Sequence, residues 1–344
     1  MDQSAVGLFL LFVAGVMNGS FTLPMKFTRK WAWENTWLGW TIFALAIFPV
    51  ALTFLTVPSP GEVYRQTGSA WLIPAAFGAG WGISQVFLGL AVEGIGMALS
   101  FSVILGISAA VGSVIPLIRQ HPEAIFEKGG LTVLLGVVLV LVGVGIAAVA
   151  GRRRETAIQA TGDVIAQAVT GKTSAAKGLL FATISGLGSA LVNLGFVFGA
   201  ELKQAAMQQG ADPIWAPNAI WMPLMLAGGI PNLLYCFYLL RKNKTTSKFS
   251  VPGTGFYWGL AAIMAFFWFG STVMYGVGAT KLGELGPVLG WPLFMSLIVI
   301  TATVWGVATG EWKPAGKQPL RILGSGVAVL IVAIFVLGYS SRMF

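Results

Sequence analysis

LTVLLGVVLVLVGVGIAAVAGRRR, residues 131–154, decides the fold class. Residues 131–150 contain neither a charge nor a proline, and Gly151 and three arginines follow at once. About 20 apolar residues in a helix cross the hydrocarbon core of a bilayer. A basic cluster immediately beyond them marks an end that stays in the cytoplasm. The run is therefore read as a membrane span. Nine more are read on either side of it, at roughly 5–25, 36–57, 71–92, 95–118, 177–199, 214–240, 255–279, 287–308 and 320–340. The fold class is an all-α polytopic membrane protein with ten transmembrane helices.

Composition points the same way. Of 344 residues, 56% are hydrophobic and only 10% are charged, against about 25% charged in soluble domains. Lipid in place of water removes the need for a charged surface, so the bilayer is the first partner implied. The net charge of +9 does not imply nucleic acid, because the basic residues gather in short clusters such as Arg152-Arg153-Arg154 and Arg241-Lys242-Asn243-Lys244. One cysteine, Cys236, excludes a disulfide framework and a thiolate metal site. Asp2 precedes the first span where a cleavable signal would carry a basic segment.

The same clusters orient the chain. With the N-terminus outside, fifteen of the 21 Lys and Arg residues fall on inward loops, among them Lys26, Arg29 and Lys30, Arg152 to Arg154 with Lys172 and Lys177, and Lys313, Lys317 and Arg321. Six fall outside: Arg65, Arg119, Lys128, Lys203, Lys281 and Arg342. Both termini are expected outside.

The two halves of the chain resemble each other weakly. Gly7-Leu8-Phe9 and Gly178-Leu179-Leu180 open spans one and six, and each leads to a small polar cluster, Asn18-Gly19-Ser20 and Gly188-Ser189. Tight turns at Glu93-Gly94-Ile95-Gly96 and Lys281–Gly286 occupy matching places. We expect two inverted five-helix repeats, 1–150 and 177–344, joined by a cytoplasmic linker at 151–176. Pairs of small residues, Gly15/Gly19, Gly78/Gly82 and Gly306/Gly310, suit close helix approach. Pro116, Pro217, Pro223, Pro231 and Pro292 suit kinks or helix ends.

Enzymatic motifs fail. Gly171-Lys172-Thr173 lacks the earlier glycine of a phosphate loop, position 166 being Ala. His121 is the only histidine. No nucleophile–base set, metal cluster or cofactor fingerprint appears, so no enzyme, metal or cofactor is expected.

Asn18-Gly19-Ser20-Phe21-Thr22-Leu23-Pro24-Met25-Lys26, followed by Lys30-Trp31-Ala32-Trp33-Glu34-Asn35-Thr36-Trp37, resembles the L-rhamnose–proton symporter family of the drug/metabolite transporter superfamily. Trp81-Gly82 through Gly96-Met97, and Gly310-Glu311-Trp312-Lys313 with Ala315-Gly316, are similar to the same family. The likeness runs over essentially the whole chain. It implies uptake of L-rhamnose or a related deoxysugar across a bacterial inner membrane, driven by protons through alternating access. The alternatives are a superfamily transporter of another small metabolite, an exporter included, and a membrane receptor without flux.

A sugar in a membrane needs polar partners for its hydroxyls and an aromatic face for its C–H side. Polar residues deep in spans are the candidates: Asn18, Gln85, Ser271 and Tyr275, with Asn193 and Asn232 weaker. Trp81 stands four residues before Gln85, and Trp268, Ser271 and Tyr275 share one helix face. Trp291 adds an aromatic candidate near the start of span nine. Gln85→Ala and Trp268→Ala are each expected to abolish uptake. The competing reading for any tryptophan is the lipid-interface belt, which suits Trp31, Trp33, Trp37, Trp71 and Trp312. No acid falls at a span centre. Glu34 and Glu284, at span ends, are the proton-coupling candidates.

Overall fold

The structure, a computed structural model, describes residues 3–160 and 174–343. Asp2, Lys172 and the Gly171-Lys172-Thr173 motif lie outside the described residues. Ten described helices are long and apolar enough to cross a membrane. They are α1 (Gln3–Ser20), α2 (Trp33–Thr56), α3 (Leu72–Ile95), α4 (Met97–Gln120), α5 (Lys128–Ala160), α6 (Ala175–Phe198), α7 (Asn218–Lys242), α8 (Tyr257–Lys281), α9 (Gly286–Ala308) and α10 (Lys317–Ser340). Two short helices, Pro60–Gln66 and Ala200–Gln208, lie between spans.

Local chemistry sets the boundaries. Helix α2 starts three residues before the expected position because the Asn35 side chain accepts from the Ala32 N–H at 3.2 Å, which caps the first turn. Between α3 and α4 a single residue, Gly96, takes φ +79° and breaks the chain direction. The Glu155 carboxylate then accepts from the Ala98 N–H at 3.0 Å, so an anion sits on the first turn of α4. Within α2, Phe43–Ile47 forms one π-helical stretch just before Pro49, and the Phe48 N–H reaches back to Phe43. Wide turns of this kind relieve the carbonyl that proline leaves without a partner. Pro116, Pro223, Pro231 and Pro292 stand inside helices, and Pro217 caps α7.

The chain forms two compact units. One comprises Phe9–Ile83 and Leu191–Thr280, and the other Met1–Leu8, Ser84–Ala190 and Lys281–Phe344. Each unit draws on both halves of the sequence.

In the first unit α2 and α7 run antiparallel along their whole length. Trp37, early in α2, donates to Asn232, late in α7, at 3.4 Å. Thr53, late in α2, donates to the carbonyl of Asn218, the first residue of α7, at 2.9 Å. Helix α3 lies against α7 backbone to backbone. A methyl at Gly78 would stand 1.9 Å from the Leu224 carbonyl oxygen, and one at Gly82 would stand 2.3 Å from that of Gly228. This is the close approach expected of the Gly78/Gly82 pair.

In the second unit α4 packs antiparallel on α9. Trp291 donates to the Ser108 carbonyl at 2.9 Å, and Ser113 donates to the Val288 carbonyl at 2.6 Å. Helix α5 packs antiparallel on α10, with Gly136 against Leu337 and Gly143 against Leu330. The Gly306/Gly310 pair does not join two spans. Gly310 takes φ +80° just after the end of α9, and Gly306 lies against Trp312 and Glu311 in the segment that follows. There Arg154 donates to the Glu311 carbonyl at 2.8 Å and stands 5.4 Å over the Trp312 ring.

Candidate functional site

Helix α8 arranges the first unit's polar and aromatic side chains, because the 3.6-residue turn places Trp268, Ser271 and Tyr275 on one face. Ser271 is fully buried. It accepts from the Asn18 amide of α1 at 2.8 Å and donates to the Trp268 carbonyl. Both polar groups need such partners in an apolar interior. Farther along, the Tyr275 hydroxyl donates to the Asn193 side chain of α6, and both residues are fully buried. Phe196 stacks on Trp221 at 4.9 Å and meets the edge of Tyr275 at 5.9 Å.

Around Trp268 the aromatic rings converge. Its indole stacks on that of Trp81 from α3 at 5.4 Å and meets Trp40 from α2 edge-on at 5.1 Å. Trp40 in turn touches Trp37 at 4.5 Å and Phe21 at 6.1 Å. Trp81 rests on Gly228 of α7, the residue whose carbonyl accepts from Asn232. Four indoles from three helices thus form one box beside the Asn18–Ser271 pair. Trp81, Asn18, Ser271 and Trp268, chosen from sequence, meet here.

Trp40 and Trp37 were not among the sequence candidates. The signal was present: they stand three apart and share a helix face, with Asn18-Gly19-Ser20-Phe21 shortly before. Trp40 is 1% exposed, and its Nε1 finds no hydrogen-bond partner. A buried donor left without an acceptor costs about 1–3 kcal/mol, and a ligand oxygen would remove that cost. Trp31 and Trp37 also correct the belt reading. Trp31 is buried, ringed edge-on by Phe249, Tyr257 and Trp258, and Trp37 is bonded to Asn232. Both point into protein. Trp33 and Trp71 are exposed, as a belt requires.

Gln85 and Trp291 belong to the second unit. Gln85 is half-buried with its amide 3.4 Å from Ser84 Oγ. The Trp291 N–H is committed to the Ser108 carbonyl, which ties α9 to α4.

Among the acids of the described residues, Glu34 alone is buried, at 4% exposure. It sits in the first turn of α2 and accepts from Thr245 Oγ1 at 2.6 Å and Asn243 Nδ2 at 3.0 Å. Asn35 beside it donates to the Thr245 carbonyl at 3.0 Å. Glu284 is exposed in the turn between α8 and α9. No group of His, Cys, Asp and Glu among the described residues could hold a metal ion.

Chemically, the box offers flat apolar faces, an amide, a hydroxyl and a spare indole N–H, and none of its side chains is charged. That combination fits a small neutral polyol with one apolar side. A sequence profile of the L-rhamnose-proton symport protein (RhaT) family matches residues 1–342. Relatives named L-rhamnose-proton symporter from Citrobacter koseri and Escherichia coli are each 28% identical over 341 residues, with 97% of both chains covered. One of the same name from Mannheimia succiniciproducens is 28% identical over 344 residues at the same coverage.

Proposed function

The chain belongs to the L-rhamnose-proton symport protein family, and we propose that it carries L-rhamnose or a related deoxysugar into the cell with protons by alternating access. The observation that carries the sugar half is the cluster of indoles beside the Asn18–Ser271 pair. A 6-deoxysugar has a ring face and a methyl group that prefer indole to water, and hydroxyls that need partners. Asn18, Ser271 and the Trp40 N–H supply them. Asn193 and Tyr275 stand as further positions supporting the box, and Gln85 and Trp291 as sugar-binding candidates within the other unit.

Protons enter through Glu34. It is the buried carboxyl, and its hydrogen-bond partners are neutral donors, so it can gain and lose a proton without breaking an ion pair. Glu284, in water, has no comparable setting.

The helix pairing supports two inverted repeats. Helices five apart correspond in such a scheme, and α2–α7, α4–α9 and α5–α10 each pack together. Ten spans make such pairs antiparallel by parity alone. Their direct packing is the informative part, because it brings corresponding helices to the interface of the repeats, where transporters of this kind hold substrate. The Lys and Arg distribution supports an inner-membrane protein with both termini outside. A cytoplasm-dependent reporter fused to the C-terminus should stay inactive, and strong activity would reverse the orientation.

The deciding experiment is uptake of labelled sugars into proteoliposomes with and without an imposed pH gradient. L-rhamnose should accumulate when the lumen is alkaline and only equilibrate when it is not. The box would also suit a quaternary ammonium ion through cation–π attraction, so choline belongs in the panel. Accumulation of choline without any sugar would replace the sugar reading. Binding without flux would leave a receptor.

A further inference from the structure

The antiparallel pair α2–α7 is fastened at both ends, and the two fastenings differ in chemistry. At one end, the start of α2 holds the chain just past α7. Glu34 accepts from Asn243 and Thr245, Asn35 donates to the Thr245 carbonyl, and Lys30 donates to the Pro252 carbonyl at 3.1 Å. Between the two Glu34 donors stands Lys244 at φ +54°, a left-handed backbone that a lysine adopts only when held there.

At the other end, the start of α7 holds the end of α2. Asn218 donates to Thr56 Oγ1 at 2.9 Å, and Thr53 donates to the Asn218 carbonyl. Tyr64 donates to the Ala219 carbonyl at 2.8 Å, and Gln66 exchanges amide bonds with Gln208 and Gln209 at 2.7 and 3.1 Å. Every partner here is neutral, and burial pushes the Tyr64 hydroxyl up from its ordinary range, so it stays neutral too.

We infer that α2–α7 is a two-ended gate in which only the Glu34 end is operated by a proton. The inference rests on the proton-coupled reading above. An ionised carboxylate holds its donors by charge-assisted bonds, about twice as strong as neutral ones. Both donors share Oε1, so a proton on the other oxygen removes the charge and leaves Asn243 and Thr245 on a neutral, weaker acceptor. Lys244 is then free to leave its strained conformation, and the segment from Asn243 to Thr245 lifts from α2. The π-helical stretch at Phe43–Ile47 and Pro223 and Pro231 in α7 lie between the ends, so one end can open while the other stays shut.

The charge tally places the Glu34 end on the cytoplasmic side. A proton that arrives with the sugar therefore unlocks release to the cytoplasm. The proton then leaves through the same opening, and the fastening re-forms.

Other titratable groups face Glu34 from each packed element. On α7, Cys236 lies within its field, Lys242 stands over the Tyr238 ring and Arg241 is exposed. On the following loop Lys248 attracts it, while Lys244 is exposed. On the preceding loop Lys30 is turned to Pro252. Cys236 is fully buried beneath the fastening, packed with Leu38 and Leu240.

As the chain's only cysteine, Cys236 reports the gate directly. The experiment measures its alkylation by N-ethylmaleimide in membranes, divided at each pH by the rate for the same chain unfolded in detergent. The division removes the loss of thiolate at low pH, which acts in the opposite direction. In wild type the protection should hold from about pH 8 to about pH 6 and fall about tenfold by about pH 4, where carboxyl groups take up their protons. Glu34→Gln should be poorly protected at every pH, and Thr245→Val should lie between. Protection that is flat with pH in the unaltered protein overturns the gate, and so does a Glu34→Gln protein as protected as wild type. No sugar enters the measurement, so a failed uptake assay would leave this result standing, and the reverse also holds.

Discussion

Gly78→Val should yield almost no assembled protein. The valine Cβ would lie 1.9 Å from the Leu224 carbonyl oxygen and 2.7 Å from its carbon. Both are backbone atoms of α7, which cannot turn aside as a flexible side chain would. Overpacking ordinarily costs about 1–3 kcal/mol. Here two helix backbones must separate by more than an ångström, and the hydrogen bonds from α2 to Asn218 and Asn232 move with α7. The expected cost is at the top of that range or above, about 3 kcal/mol or more. Thermal unfolding of the detergent-solubilised protein, followed by size-exclusion chromatography, would measure it. Gly82→Val should behave alike, its Cβ falling 2.3 Å from the Gly228 carbonyl oxygen. Gly89 on the same helix meets nothing within 4 Å, so Gly89→Ala serves as the control. A Gly78→Val protein that elutes and melts like the control would show that α3 and α7 are not in contact as described.

Trp268→Ala should reduce sugar uptake by about 100-fold while the protein still reaches the membrane. Loss of a half-buried indole removes about 2–3 kcal/mol of apolar contact, and the stacked and edge-on partners Trp81 and Trp40 lose their common neighbour. Trp268→Phe keeps a ring and should retain roughly a tenth of the activity. Because Ser271 bonds to the Trp268 backbone and not to its ring, the Asn18–Ser271 pair should survive in both variants. The comparison therefore separates the aromatic from the polar contribution. Uptake by Trp268→Ala at the wild-type rate and KM would remove the box from the transport path.

The membrane architecture was legible in the sequence because each of its causes is local. A run such as residues 131–150 needs no partner to be recognised as a span, and Gly96 marks its turn by its own backbone freedom. The site was half legible for the same reason. Trp268 and Ser271 share a helix face that spacing reveals, and Asn18 is conspicuous as an amide in an apolar run.

Inward and outward tryptophans were not separable. Trp31 and Trp33 are two residues apart in one motif, yet the first is enclosed by rings from residues 249–258 and the second is exposed. Only tertiary packing distinguishes them. The same holds for Gly310, which reads as half of a packing pair and serves as a helix stop. Glu34 was visible as a span-end acid, but its donors lie more than 200 residues away.

The junction of α3 and α4 bears on how the protein is made. One glycine separates two helices of 24 residues each, and that junction carries no lysine or arginine. An inserting ribosome-bound chain therefore exposes no long hydrophilic segment there for the cytoplasm to retain, and no positive charge to fix which way either helix threads, since the acidic Glu93 counts for little. The two must partition into lipid as a single hairpin, oriented by clusters such as Lys26 to Lys30 before it and Arg152 to Arg154 after it. Biogenesis of this segment is thus a cooperative event, with its direction inherited from its neighbours.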